Sequence, residues 1–368
     1  MKQWPDPIFS WLALKMIPNL GNITYRRLLD KFGDPTNVFD ARLHELLEVE
    51  GIRTETAKRI VSNEWEGDPH KELQRMEEIG ARLITIFDSS YPMDLKQIHD
   101  PPPLLYIKGN DLPSKNTMIA VVGSRNPSHY GLKVTEEICQ GLAMLDIAVV
   151  SGMAKGIDAA AHWGCLRRKG CTVAVLGSGI DVIYPSSNVK LYNHIMEKGS
   201  VISEFPLGTP PEGRNFPIRN RIISGLSKGI VVVEASRRSG SLITASLALE
   251  QGREVFAVPG SIESFKSTGT HFLIKQGAKL VENADDILQE LGLSSPYSRN
   301  GTPPKKVPVP PLEEDERRVF DILSNYPIHI DHIARSSMLD SAKAASLLTR
   351  LELKGVIKQL PGKMFIVS

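Results

Sequence analysis

The stretch GIVVVEASRRSGSLITASLALEQGREVFAVPG (residues 229–260) decides the fold. Its opening run, Ile230–Val231–Val232–Val233, is apolar at every position rather than at every second one, which predicts a strand buried on both faces. Ser239, Gly240 and Ser241 then open a helical segment, 242–251, and a second apolar strand follows at 254–258. Strand, helix and strand in that order make a parallel unit, because parallel neighbours need a long crossover. Working outward, the same alternation recurs. Strands at 118–122, 147–151, 172–176 and 201–203 alternate with helices at 131–143, 157–168 and 188–197, and a helix near Phe272 closes the series. The pattern predicts a doubly wound α/β domain with a Rossmann-like parallel sheet.

In such a sheet, ligands bind beyond the carboxyl ends of the strands. Three segments there read as loops: Gly123–Ser124–Arg125 after the 118–122 strand, SGMAKGID (151–158) and NFPIRNRIISGLS (215–227). Glycine lets backbone N–H groups approach an anion, a helix N-terminus adds a positive dipole end, and arginine adds a fork of donors. Gly152 and Gly156 are expected to bend the backbone into an anion nest with Lys155 leaning over it. Arg219, Asn220 and Arg221 are expected to extend the cationic track, and Ser239–Gly240–Ser241 offers another phosphate-compatible helix start. Phe216 and Tyr184 have rings able to stack on bases, with Phe216 the one expected at the surface. Asp158 reads as a helix-start carboxylate, and His162, one turn on, as a local hydrogen-bond partner rather than a hydrolytic base.

Other phosphate machinery is missing. The nearest approach to a dinucleotide loop, Gly177–Ser178–Gly179, continues into Ile180–Asp181–Val182 without a third small residue, and reads as a turn at the sheet edge. The Gly–Lys pair of a Walker loop occurs at Gly362–Lys363, where Met364 follows instead of serine or threonine. No paired acid and base or activated nucleophile stands out, so the chain reads as a binder without catalytic residues, metal or cofactor.

The 368 residues carry a net charge of only +2, so any polyanion site must be a local gathering of cations. One candidate is the run containing Arg214, Arg219, Arg221, Lys228, Arg237 and Arg238 against the single acid Glu234. Cys139, Cys165 and Cys171 show neither metal-ligand spacing nor a disulfide framework, which suits a reducing compartment. With no leader-like segment and no apolar run of bilayer length, a cytoplasmic protein free of membrane contact is expected.

Four regions follow. Residues 1–66 are helical in pattern, with Gly21 and Gly51 each preceding a helix in the outline of paired helix–hairpin–helix (or SAM-like) units, read here as structural. Residues 67–293 hold the extended Rossmann-like domain, and 294–312 (SSPYSRNGTPPKKVPVPPL) read as a proline-rich linker. Residues 313–368 give three helices and a hairpin, a winged-helix unit. Its acids and bases are equal in number, which favours protein contact over duplex reading.

At the motifs VVGSRNPSHYG (121–131), SGMAKGIDAAAH (151–162), LGSGIDVIYPSSN (176–188), NFPIRNRIISGLS (215–227) and SGSLITASLALEQGREVFAVPG (239–260), the chain resembles the DNA-processing protein A family (DprA, also called Smf). YPMDLKQIHDPPPLLYIKG (91–109) is similar to that family's lead-in to the sheet. The resemblance implies a cytosolic, non-enzymatic protein of natural transformation. It would bind and protect incoming single-stranded DNA, load the RecA recombinase, sometimes displace single-strand-binding protein, and form a homodimer through the Rossmann-like domain. It also implies DNA contacts at Gly123, Ser124, Arg125, Gly152, Lys155, Gly156, Arg219, Asn220 and Arg221. Thr270–His271 departs from the family pattern, which usually has asparagine at the second position. A rival reading is a nucleoside-monophosphate hydrolase of the lysine-decarboxylase-like Rossmann class. Against it, Ser236–Arg237–Arg238–Ser239–Gly240–Ser241 lacks the Pro-Gly-Gly of that signature. A third makes the sheet a scaffold and gives DNA to the terminal domains.

Overall fold

The computed structural model describes residues 7–113, 116–293, 312–324 and 327–367. Its main sheet has nine strands: β1 (Arg82–Thr85), β2 (Leu104–Gly109), β3 (Met118–Gly123), β4 (Ala148–Ser151), β5 (Thr172–Leu176), β6 (Ser200–Ser203), β7 (Gly229–Val233), β8 (Glu254–Ala257) and β9 (Lys279–Leu280). They lie in the order β1-β2-β6-β5-β4-β3-β7-β8-β9. From β6 across to β9 every neighbour is parallel, as the double-sided burial of these runs requires. The β1–β2 and β2–β6 pairs are antiparallel; the sequence predicts strands at 82–86 and 104–107 but not this pairing direction. Only the short helix Met93–Lys96 lies between β1 and β2. The triple proline then delivers the chain straight back, leaving no crossover helix of the length a parallel pair needs.

Strand order reverses once. From β3 the chain winds through β4 and β5 to β6 on one side, then returns to place β7 and β8 on the other. The topological switch point therefore lies between β3 and β7, beyond their carboxyl ends.

Hydrophobic residues from Phe9 to Leu273 form one continuous core, so no break in packing marks the expected boundary at residue 66. Within the N-terminal helices, the buried Tyr25 hydroxyl donates to the Trp11 carbonyl at 3.0 Å. The turns at Gly21 and Gly51 lead into helices Asn22–Phe32 and Thr54–Ser62. The third expected loop is instead a helix, Asn215–Gly225. Pro217 sits in its first turn, where a missing N–H costs nothing, so the proline starts the helix rather than breaking it.

By Cα packing the chain divides into two compact units, residues 127–134 grouping with the C-terminal region and the rest of 1–293 forming the other. In the C-terminal region, helices Glu314–Ile322, Ile330–Ser337 and Ser341–Leu353 accompany a three-stranded antiparallel sheet of β10 (Ile328–His329), β12 (Met364–Val367) and β11 (Ile357–Leu360). Val319, Ile333, Leu348 and Phe365 are buried in its own core, the winged-helix pattern. The expected linker lies outside the described residues except for Leu312. Among the described residues, no helix is long and apolar enough to cross a membrane.

Candidate nucleic-acid interface

A cleft of about 700 Å³ opens at the switch point, lined by the segments that follow β3, β4, β7 and β8 and by the helix Asn215–Gly225. Gly123 ends β3 where any side chain would overlap the Val233 carbonyl oxygen of β7, so glycine here is what lets the two strands stay in register. Ser124 ties the floor together. Its N–H donates to Val233 O at 3.4 Å, and its carbonyl accepts from Ile157 N at 3.1 Å. Arg125 is exposed at the mouth, and among the described residues no carboxylate lies within ion-pair distance of it.

After β4, the backbone turns through positive φ at Met153 (55°) and Gly156 (82°), not at Gly152. Gly152 is buried and needed for space, since a Cβ there would come within 2.6 Å of the Arg219 guanidinium. Gly156 caps the start of helix Ile157–Arg167, and Lys155 is exposed at the loop tip, next to the cleft-lining Ala154. Asp158, buried in the first turn, accepts from Ala154 N at 3.4 Å. Burial raises its pKa, against the pull of Arg219, two backbone donors and Arg125.

The helix Asn215–Gly225 sorts its residues by face. Two guanidinium groups approach the Phe216 ring within cation–π range, Arg125 at 5.3 Å and Arg219 at 5.8 Å from its centroid. Tyr184, largely exposed, stands 5.9 Å away, and Gly177 lies beneath the ring, its absent side chain leaving room for Phe216. Asn220 also lines the cleft. Arg219 does not project as a free phosphate ligand, as the sequence reading expected. It is 4% exposed, donates to Gly152 O at 2.8 Å and to Val175 O, and so braces the loops after β4 and β5 under Phe216. Burial lowers its pKa to about 10 despite Asp158, which still leaves it charged at neutral pH.

Arg221 is a clearer correction. It is 6% exposed, on the side of the helix away from the cleft lining, bonded to Glu204 and at 3.1 Å to Asp100. Its fork of donors is consumed there, so it cannot extend a phosphate track. The rest of the expected cation run also disperses: Lys228 pairs with Asp94 at the amino end of β7, and Arg214 pairs with its neighbour Glu212. Arg237 and Arg238 stay exposed beside the cleft.

Ser239 and Ser241 are 2.8 Å apart at their hydroxyls, with Gly240 opening the helix Gly240–Glu250 onto the cleft. His162 does not pair with Asp158. Its Nδ1 meets Thr172 Oγ1 at 2.7 Å, and because that hydroxyl donates to Val149 O, the imidazole donates from Nδ1 and leaves Nε2 without a partner. Burial, with Arg219 adding to it, lowers its pKa to about 3, so it is neutral and unsuited to gathering anions. His271 Nε2 donates to Gly260 O at 3.0 Å, in the segment ahead of it. Phe265 and Lys266 also line the cleft, and the sequence reading missed them because their short polar segment has no periodicity to mark a ring as exposed.

Fold and rim together define a Rossmann-like α/β protein whose switch-point cleft combines exposed cations, aromatic faces and an uncapped helix start. The model of the DNA recombination-mediator protein A family matches residues 82–292, and the DprA winged-helix model matches 303–363. The chain belongs to the DNA recombination-mediator protein A family. It is 33% identical to Protein Smf of Synechocystis over 96% of this chain and 97% of that one. It is 50% identical to DNA processing protein DprA of Streptococcus pneumoniae over 56% of this chain and 73% of that one. A solved structure of DNA processing protein A from Streptococcus pneumoniae aligns with TM-score 0.70 and 40% identity, covering 79% of this chain and 99% of that one. Another, from Helicobacter pylori and described for its single-stranded DNA binding mode, aligns with TM-score 0.51 and 28% identity over 57% and 95%.

Proposed function

We propose that the chain is a cytoplasmic single-stranded DNA-binding recombination mediator, acting as a homodimer, that protects incoming DNA in natural transformation and loads RecA onto it. Family membership and the single-stranded DNA binding named for the Helicobacter pylori protein support the reading. The observation that carries it is the unpaired Arg125 stacked on Phe216 at the mouth of the switch-point cleft. Arg125 and Lys155 neutralise phosphates, the helix start at Ser239–Gly240–Ser241 donates backbone N–H groups, and Phe216 and Tyr184 accept bases on their faces. Arg219 serves from beneath by holding Phe216 and the loops in place. Stacking on ring faces and neutralising phosphates are both tolerant of sequence, and so is the binding.

A salt titration with a poly-thymidine strand tests this. For single strands log affinity falls with log salt by about 0.7 per phosphate neutralised, so Arg125→Ala/Lys155→Ala flattens the slope by about 1.4 and weakens binding. Identical affinity and slope in the double variant would remove the mechanism. RecA loading has its own assay: on a strand coated with single-strand-binding protein, the chain shortens the lag of RecA filament growth. An unchanged lag limits the function to DNA binding.

A further inference from the structure

We propose that Phe265, with Lys266 beside it, forms a second base-stacking platform in the same cleft, on the far side of the switch point from Phe216. The inference rests on the single-stranded DNA reading and extends the path of the strand. Phe216 lies over Gly177, just past the end of β5, whereas Phe265 belongs to the segment following β8. In the strand order these two sites flank β3 and β7, so a strand touching both rings crosses the whole switch point.

Three observations support it. The ring is 69% exposed although its backbone is fixed. Phe265 opens a single 3₁₀ turn, its carbonyl accepts from Thr268 Oγ1 at 2.7 Å, and Gly269 N anchors the following helix to Ala235 O at 2.6 Å. A held backbone presenting an aromatic face to water is a preorganised stacking surface. Charge also matches a polyanion. Lys266 lines the cleft, Arg237 lies 5.9 Å over the neighbouring Phe272 ring, and Arg238 is exposed next to it. Glu263 supplies the acid of this segment and is outnumbered. Finally, aromatic and cationic side chains are interleaved in this region, Arg125 lying 5.3 Å from the Phe216 ring centroid and Arg237 5.9 Å from that of Phe272, as suits a base–phosphate repeat.

The test uses the full chain and its Phe265→Ala, Phe265→Trp and Arg125→Ala variants, titrated with a poly-thymidine strand and an abasic strand of equal length. Phe265→Ala weakens poly-thymidine binding at least about fivefold, the loss of one base–aromatic stack, with the salt slope unchanged because no charge is removed. Phe265→Trp keeps wild-type affinity, and its indole fluorescence is quenched by poly-thymidine but not by the abasic strand. Phe265→Ala binding both strands as wild type does, while Arg125→Ala loses affinity, overturns the platform and leaves the cleft reading intact. A change in oligomeric state by sedimentation, with DNA affinity unaltered, also overturns it and assigns the ring to contact between copies. Loss in Phe265→Ala with Arg125→Ala unaffected has the reverse meaning: the stack stands and the phosphate track at Arg125 falls.

Discussion

The two sides of the helix Asn215–Gly225 handle the same residue types in opposite ways. Toward the cleft, Phe216 and Asn220 are partly open to solvent, and the Arg125 guanidinium over Phe216 has no carboxylate within ion-pair distance among the described residues. Away from it, Arg221 is closed in a polar joint with Glu204 and Asp100, to which the N-terminal helices bring Lys15 at 3.5 Å and Asn22 at 2.5 Å from Glu204. Burial pushes the Glu204 pKa up, but Lys15, Arg221 and the Asn22 amide outweigh it and hold the carboxyl below its usual range. For Asp100 burial prevails over Arg221 and the pKa rises, the opposite direction from Glu204. Residues two apart on a helix point to nearly opposite sides, so Arg219 braces the loops beneath the cleft while Arg221 closes the joint on the other side, and neither is left as a free cation.

The largest test of that division is Arg221→Ala. Removing one partner of a buried pair leaves Glu204 charged and poorly compensated, a loss of about 3–5 kcal/mol in denaturant melts. A near-normal melt combined with weaker DNA binding and a flatter salt slope would move Arg221 back to the rim. Next is Phe216→Ala, which lowers poly-thymidine affinity by about 1–3 kcal/mol while the salt slope stays fixed. Equal affinity in that variant would make the ring a packing group.

A smaller effect concerns pH. His162 has a folded pKa of about 3 against an ordinary 6.5, so the unfolded chain takes up the proton first. Its contribution to stability is complete above pH 6.5 and declines as the pH falls, by up to about 1.4 kcal/mol per unit. Urea melts between pH 7 and pH 5 should show this slope in wild type and not in His162→Gln; parallel curves would mean that His162 is not the group responsible. The smallest change is Lys228→Ala, which breaks a half-exposed pair with Asp94. It should cost under about 1 kcal/mol and leave DNA affinity untouched, because the side chain is at the wrong end of β7.

Much of this was legible in the order of residues. Apolar runs such as Ile230–Val233 announce parallel strands, and the small residues after them mark where backbone approaches a ligand. Both follow from local chemistry. What could not be read is which way a side chain turns once helices pack. The 215–227 segment read as a loop, because a proline in a helix's first turn and a proline in a loop look alike without the hydrogen-bond ladder. Arg221 looked like Arg125 because its acids, Glu204 and Asp100, lie 17 and 121 residues away or are reached only through the β6 end. Gly152 was credited with a bend that Met153 makes, since a requirement for space and one for dihedral freedom select the same residue. Phe265 escaped notice for want of any period in its segment.

The Glu204 weld also bears on where the chain tolerates shortening. A version starting near residue 67 would keep Glu204 but lose Lys15 and Asn22, and would bare the apolar side that Phe9, Leu12 and Tyr25 cover. Fragments meant to isolate the sheet should therefore be trimmed from the carboxyl end, or carry a neutral substitute at position 204.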